Sequence, residues 1–241
     1  MKTYRKTAIS VGVLFIIATV LNMLGNIPIN TILDAPDYLI NISANENQVI
    51  IGGLLVLLSA FASAGIAIGL YPVLRKHNEA LALGSVGFRV MEGMLYIVAV
   101  VGLLSLLTLS QDYVKAGASN ASLFQVSGTI LLAIKTWAGQ LGVIAFTLGA
   151  LMYYYVFYQS KLIPRWLSGW GFLGAALSLA ATLLTIFGQL VPFSTVFMIL
   201  HLTILVQEMV LAVWLIVKGF NPSAIDSGSA KTAMNELLSA A

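Results

Sequence analysis

Six long apolar blocks fill most of this chain, at roughly 8–25, 49–71, 80–107, 127–157, 167–190 and 196–218. Each reaches the ~20 apolar residues that cross ~30 Å of hydrocarbon. Lipid offers the backbone no hydrogen-bond partners, so each block is expected to be helical. The third and fourth are longer than one crossing needs and should tilt or project beyond the membrane. The expected fold is therefore all-α, an integral membrane bundle of six transmembrane helices. Residues 1–220 form the transmembrane domain, and 221–241 a short cytoplasmic tail expected to be mobile.

The first block follows Lys2, Arg5 and Lys6 and so resembles a signal peptide. Its length, and the absence of a small-x-small cleavage site around Asn22 to Gly25, favour an uncleaved anchor. The first outer connection, 26–48, is the longest. Within it Asp34-Ala35-Pro36-Asp37 reads as a cap followed by Pro at the first helical position, predicting a short helix over 36–43 that either lids the bundle or packs against it. The connection 109–126 reads as an outer polar loop, and Val191 to Thr195, with Pro192, as a tight outer turn. The tail could carry a turn or two of helix at 231–239. The patterns Asn41-Ile-Ser43 and Asn120-Ala-Ser122 match glycosylation acceptors but are short enough to be incidental.

Composition sharpens the membrane reading. Only 9% of the residues are charged and mean hydropathy is +0.96, against roughly 25% charge in a soluble domain. The net charge of +3 does not point to nucleic acid, because of where the cations lie. With the N-terminus inside, cytoplasmic segments hold Lys2, Arg5, Lys6, Arg75, Lys76, Lys161, Arg165, Lys218 and Lys231, and the outer loops hold only Lys115. That bias predicts both termini inside. Tyr71, Trp166, Trp170 and Tyr153, Tyr154, Tyr155 and Tyr158 lie near the inner boundary and read as an aromatic belt. Cys is absent, which removes disulfides, thiolate metal sites and a Cys nucleophile.

Small residues recur four apart: Ser59/Ser63, Gly65/Gly69, Ala138/Gly142, Ala145/Gly149 and Gly171/Ala175. Such steps let helices approach closely in lipid, within the bundle or across a dimer.

Four charges interrupt the apolar blocks: Arg89 and Glu92 in the third, Lys135 in the fourth and Glu208 in the sixth. A charge at mid-bilayer costs at least ~2.5–3.5 kcal/mol, so these must face each other or water. Arg89, Glu92 and Tyr96, at i, i+3 and i+7, share one helix face, as do His201 and Glu208. Counting ~1.5 Å per residue from the block ends places Arg89 and Glu208 at matching depth and Lys135 near Glu92. Arg89–Glu208 and Glu92–Lys135 are the allowed pairs. Gln207 points ~100° away from Glu208. Two readings follow: a salt-bridge lock that fixes the helix arrangement, or a polar site for a ligand, ion or proton. The site candidates are Arg89, Glu92, Lys135, His201, Gln207 and Glu208.

Other chemistries find little support. His77 and His201 are the two histidines, and no cluster has metal-ligand spacing, so no metal or haem is expected. No phosphate-binding loop or nucleophile elbow occurs. A Schiff base on Lys135 with Glu92 as counter-ion is disfavoured by the count of spans and the mid-chain Lys. No cofactor is expected, and the balance leans away from an enzyme.

Four segments carry a family likeness: Gly69-Leu-Tyr-Pro-Val-Leu followed by Arg75; Arg89-x-x-Glu92; Ile163-Pro-Arg-Trp-Leu-Ser-x-Trp-Gly171; and Gln207-Glu-Met-Val-Leu-Ala-Val-Trp-Leu-Ile-Val-Lys-Gly-Phe220. Together, over about residues 5–224, the chain resembles the bacterial multi-span membrane family numbered 4386 among domains of unknown function. The resemblance implies a small bacterial integral membrane protein and adds weight to Arg89, Glu92 and Glu208. It transfers no mechanism. The expected setting is the bacterial cytoplasmic membrane. The expected partners are membrane lipids, with a small-molecule or ion ligand and a homo-oligomer or membrane-protein partner left open. The leading expectation is a mid-membrane site that binds a small molecule, lipid or ion, with transport in view; a regulatory or structural membrane partner is the alternative, and an intramembrane enzyme the least favoured.

Overall fold

The computed structural model describes residues 2–117, 121–192 and 194–227. Seven α-helices form among them: α1 (Lys2–Leu33), α2 (Tyr38–Ala44), α3 (Glu46–Leu74), α4 (Glu79–Ala116), α5 (Ala121–Ser160), α6 (Arg165–Ile186) and α7 (Thr195–Val217). All but α2 are long and apolar enough to span a membrane, which makes six candidate spans among the described residues. The all-helical fold expected from the apolar blocks is the fold observed.

Local chemistry sets several boundaries. Asn78 opens α4 by accepting from the Leu81 amide at 3.0 Å, and Ser194 opens α7 by accepting from Phe197 at 3.3 Å. α6 stops where Gly188 takes a positive φ of 69°. The amides of Gly188 and Gln189 then fold back onto the carbonyls of Thr185 and Leu184, a glycine-terminated stop. The connection to α7 is accordingly longer than the turn expected at Val191 to Thr195.

The expected loop at 109–126 is largely helix. α4 has 38 residues and α5 has 40, or roughly 55–60 Å each at 1.5 Å per residue, about twice the hydrocarbon thickness. The extension forms because Leu106, Leu107 and Ser110 are buried and the Tyr113 ring packs against Phe124 at 5.6 Å. Polar residues here do not break the helix: Ser110 is buried within it, and Asp112 and Lys115 are exposed on it. Asn120 of the second glycosylation-like pattern, and the helix suggested at 231–239, lie outside the described residues. Residues 222–227 are helical, with Ala224 and Ile225 buried.

The chain divides into two compact units. The first comprises Met1–Ile16, Ala62–Met91 and Val143–Ala241. It holds the start of α1, the end of α3, the start of α4, the end of α5, and all of α6 and α7. Its helices meet at small residues. A Cβ on Gly12 would lie 2.7 Å from the Ala212 carbonyl oxygen, one on Gly69 2.8 Å from Val11, and one on Gly174 3.0 Å from the Ile204 Cα. So α1 packs on both α3 and α7, and α6 on α7. Arg5 donates to the carbonyls of Leu215, Ile216 and Val217 at 3.3, 2.6 and 3.2 Å. It thereby satisfies the open C-terminal end of α7.

The second unit comprises Ile17–Phe61 and Glu92–Gly142. Gly25 and Gly52 bring α1 and α3 into backbone contact, and Ser59 Oγ donates to the Ala18 carbonyl at 2.8 Å. Here α2 buries Leu39 and Ile42 in a core with Ile29, Val49, Leu103 and Leu106, and the Ser110 hydroxyl donates to the Leu39 carbonyl. Of the two roles considered for this short helix, packing is the one its contacts display. The small-residue steps are likewise used for contacts within the chain.

Candidate functional site at a buried ion pair

The site is built in the first unit by side chains from four helices and a backbone carbonyl from a fifth. Arg89, on α4, is 3% exposed, and Glu208, on α7, is 8% exposed. Their nearest charged atoms, Arg89 Nη2 and Glu208 Oε1, are 3.6 Å apart. Of the two pairs that depth allows, this one is present. Arg89 also donates from Nη1 to Ser63 Oγ of α3 at 3.1 Å. Its guanidinium carbon lies 4.6 Å from the Phe146 ring centroid and 5.7 Å from that of Tyr153, both on α5. Aromatic faces attract a desolvated cation. α4 and α5 come close enough for this because Gly149 sits against Ser85, Phe88 and Arg89.

Two tyrosines complete the network. Tyr153 donates to Glu208 Oε1 at 3.2 Å, and its neighbour Tyr154 donates to Gln207 Oε1 at 2.5 Å. Gln207, itself fully buried, donates from Nε2 to the Leu167 carbonyl of α6 at 3.0 Å. Consecutive residues of α7 thus meet consecutive residues of α5. Gln207 does point away from Glu208, and it points into a second interface. Gly171 makes room for Tyr154: a Cβ there would lie 2.3 Å from the ring.

Tyr153 and Tyr154 correct the belt reading. Both are fully buried, whereas Tyr155 and Tyr158 are exposed. The signal that separates them is periodic. Phe146, Gly149, Tyr153 and Phe157 recur at helical spacing and mark the inward face of α5. The sequence pattern marks Ser63 only as a small residue and Arg5 only as a topology charge.

The remaining candidates lie elsewhere. His201 faces α6: its Nε2 is 3.5 Å from Thr182 Oγ1, its Nδ1 3.0 Å from the Phe197 carbonyl, and its ring stacks on Phe197 at 4.2 Å. Glu92, 4% exposed, and Lys135 both belong to the second unit. They form no pair. Lys135 Nζ reaches Asn30 Oδ1 of α1 at 3.3 Å. Its backbone sits beside Gly102 of α4, ten residues or ~15 Å along the helix from Glu92. No group of three or more His, Cys, Asp or Glu able to hold a metal occurs among the described residues.

The pair, its two tyrosines and the cationic ring contact all sit on segments that the sequence likeness singled out or on α5 between them. The family profile described as "Domain of unknown function (DUF4386)" matches residues 10–219. The chain belongs to that family. The match takes in every helix that contributes to the DUF4386 site, from Ser63 to Glu208. No curated protein and no solved structure matches this DUF4386 chain.

Proposed function

We propose that this DUF4386 protein is a non-catalytic multi-pass membrane protein whose Arg89–Glu208 network locks five helices of the first unit in one arrangement. One observation supports this above others: the network is answered from within the chain. Arg89 meets Ser63 and Glu208, Glu208 meets Tyr153, and Gln207 meets Tyr154 and Leu167. The pair is neutral overall, and each of these contacts is made to another helix of the same chain. A lock of this kind suits a protein that acts through its surfaces, on lipid or on a membrane partner. The distribution of Lys and Arg supports a bacterial cytoplasmic membrane orientation with both termini inside.

A second reading, a mid-membrane site for a small molecule, ion or proton, draws on the 3.6 Å separation of the charges. A charge-assisted hydrogen bond is shorter, roughly 2.7–2.9 Å, so a small polar ligand has something to gain by inserting. Native mass spectrometry of the gently extracted protein, beside an Arg89→Met/Glu208→Leu double variant, separates the two. The lock predicts a folded double variant with the same bound species as the parent. A small molecule carried by the parent and missing from the folded double variant would overturn the lock and establish the binding site.

A further inference from the structure

A second feature lies at the end of the first unit, where α5 finishes, α6 begins and α7 finishes. The α5–α6 connection and the segment after α7 border an open-sided cavity of about 480 Å³. Three cations line it: Lys161, Arg165 and Lys218. None of its lining residues is acidic. Topology signalling explains why cations occur on this side of the membrane, but not why three from two segments far apart in sequence converge on one cavity without a carboxylate.

The rim is fixed in place. Asn221 donates from its backbone amide to the Leu162 carbonyl at 2.9 Å and from Nδ2 to the Lys161 carbonyl at 3.3 Å. Lys161 itself sits at φ 57°, a left-handed conformation that turns the chain sharply out of α5. α6 then starts behind Pro164 with no side-chain cap. Its first amides, at Arg165 and Trp166, precede the first intrahelical bonds, made by Leu167 and Ser168. The positive end of α6 therefore faces the same side as the three cations. Part of the Lys218 charge answers the negative end of α7; Lys161 and Arg165 have no such role.

Apart from Asn221, the rest of the lining is apolar or amphipathic, with Trp214, Phe220, Leu162 and Ile163 its largest side chains. Trp166 packs edge-on to Trp214 at 6.5 Å. Tryptophan of this kind belongs at the headgroup level of a bilayer, and the ends of three spans place the cavity there. Basic pockets between spans at this depth suit anionic headgroups. From this geometry we infer that the cavity binds the phosphate group of an anionic glycerophospholipid, with Lys161, Arg165 and Lys218 around the phosphate and Trp214 and Phe220 against the first acyl carbons. The assignment does not rest on the Arg89–Glu208 lock.

The test uses the full chain in detergent, with phosphatidylglycerol, phosphatidylcholine and inorganic phosphate as separate probes and retained lipid read by native mass spectrometry. The parent should keep phosphatidylglycerol over phosphatidylcholine by about tenfold or more. Lys161→Gln/Arg165→Gln/Lys218→Gln should bring that ratio near one. The milder Lys218→Gln variant should lower it severalfold, which covers the case in which the triple variant fails to fold. Lys6→Gln/Lys115→Gln, at two positions that do not line the cavity, should leave the ratio unchanged. Equal retention of the two lipids by the parent, or an unchanged ratio in the folded triple variant, would overturn the site. Saturable binding of inorganic phosphate with no lipid preference would overturn the lipid source.

Discussion

Replacing Glu208 by Leu removes the carboxylate that faces Arg89, and the expected cost can be worked from the geometry. At 3.6 Å and an effective dielectric near 20, the lost attraction is roughly 4–5 kcal/mol. Breaking one side of a buried pair costs ~3–5 kcal/mol by comparison with other proteins. The unfolded chain in a micelle finds substitute partners, which lowers the net effect. We therefore expect about 3 kcal/mol for Glu208→Leu. Glu208→Gln leaves Tyr153 an acceptor and should cost less, about 2 kcal/mol, since a hydrogen bond to a neutral group contributes ~0.5–1.5 kcal/mol. At ~2–4 °C per kcal/mol for a chain of this size, Glu208→Leu should melt roughly 6–12 °C below the parent. Glu46→Gln, at an exposed position, should move the midpoint by less than ~2 °C.

The decisive variant is the double one. Arg89→Met/Glu208→Leu removes both charges, and a buried pair exchanged for apolar side chains is neutral or stabilising in many proteins. It should melt within a few degrees of the parent although each single variant does not. Intrinsic tryptophan fluorescence on heating in one detergent supplies all four corners of the cycle. A coupling below ~0.5 kcal/mol, the range expected of independent sites, would refute the lock. So would single variants no worse than Glu46→Gln.

Three further outcomes follow from the packing and the topology. Gly171→Ala drives a methyl group into the buried Tyr154 ring and should cost ~1–3 kcal/mol as overpacking; Gly87→Ala, with open space around its Cβ, should leave the midpoint within about 2 °C in the same melt. Arg5→Gln should raise amide hydrogen exchange at Lys218 and Gly219, because the three α7 carbonyls it satisfies anchor that end; unchanged exchange would remove the cap from the argument. Since Cys is absent, single cysteines report on topology without background: one at position 115 should react with an impermeant maleimide on intact cells and one at position 161 should not, and the opposite labelling would invert the orientation.

The spans were legible because lipid demands one simple pattern, a long apolar helix, and the chain supplies it six times. The Arg89–Glu208 pair was legible for a related reason. Depth counted from the block ends depends only on the rise of a helix, and the start of α4 and the end of α7 fall close to where hydropathy puts them. The same count misled at Lys135. Apolar blocks mark the hydrocarbon but not the helix, and α4 and α5 run on to Ala116 and from Ala121. Measured from those true ends, Lys135 and Gly102 each lie fourteen residues in, which is where they meet. Glu92 is ten residues deeper. Antiparallel helices joined by a short connection have their register set by the connection, so an error in placing the loop becomes an error in pairing.

The tyrosines expose a different limit. Hydropathy ranks Tyr153, Tyr154, Tyr155 and Tyr158 alike, and their nearness to the inner boundary made a belt the natural reading. Periodicity distinguishes them. Tyr153 falls in line with Phe146, Gly149 and Phe157, and that line faces Arg89. Tyr154 is turned ~100° from it and requires a second neighbour, which α6 provides by carrying glycine at position 171. A fully buried phenol needs an acceptor at its tip. The two acceptors are Glu208 and Gln207, adjacent on α7. Gln207 and Glu208 could be noticed as polar residues in an apolar block; that each faces its own interface depends on α7 being flanked on two sides, a fact of packing and not of pattern. The polar residues of α7 and the aromatic residues of α5 are thus one device, and a substitution at Tyr153 should disturb the ion pair as directly as a substitution at Ser63.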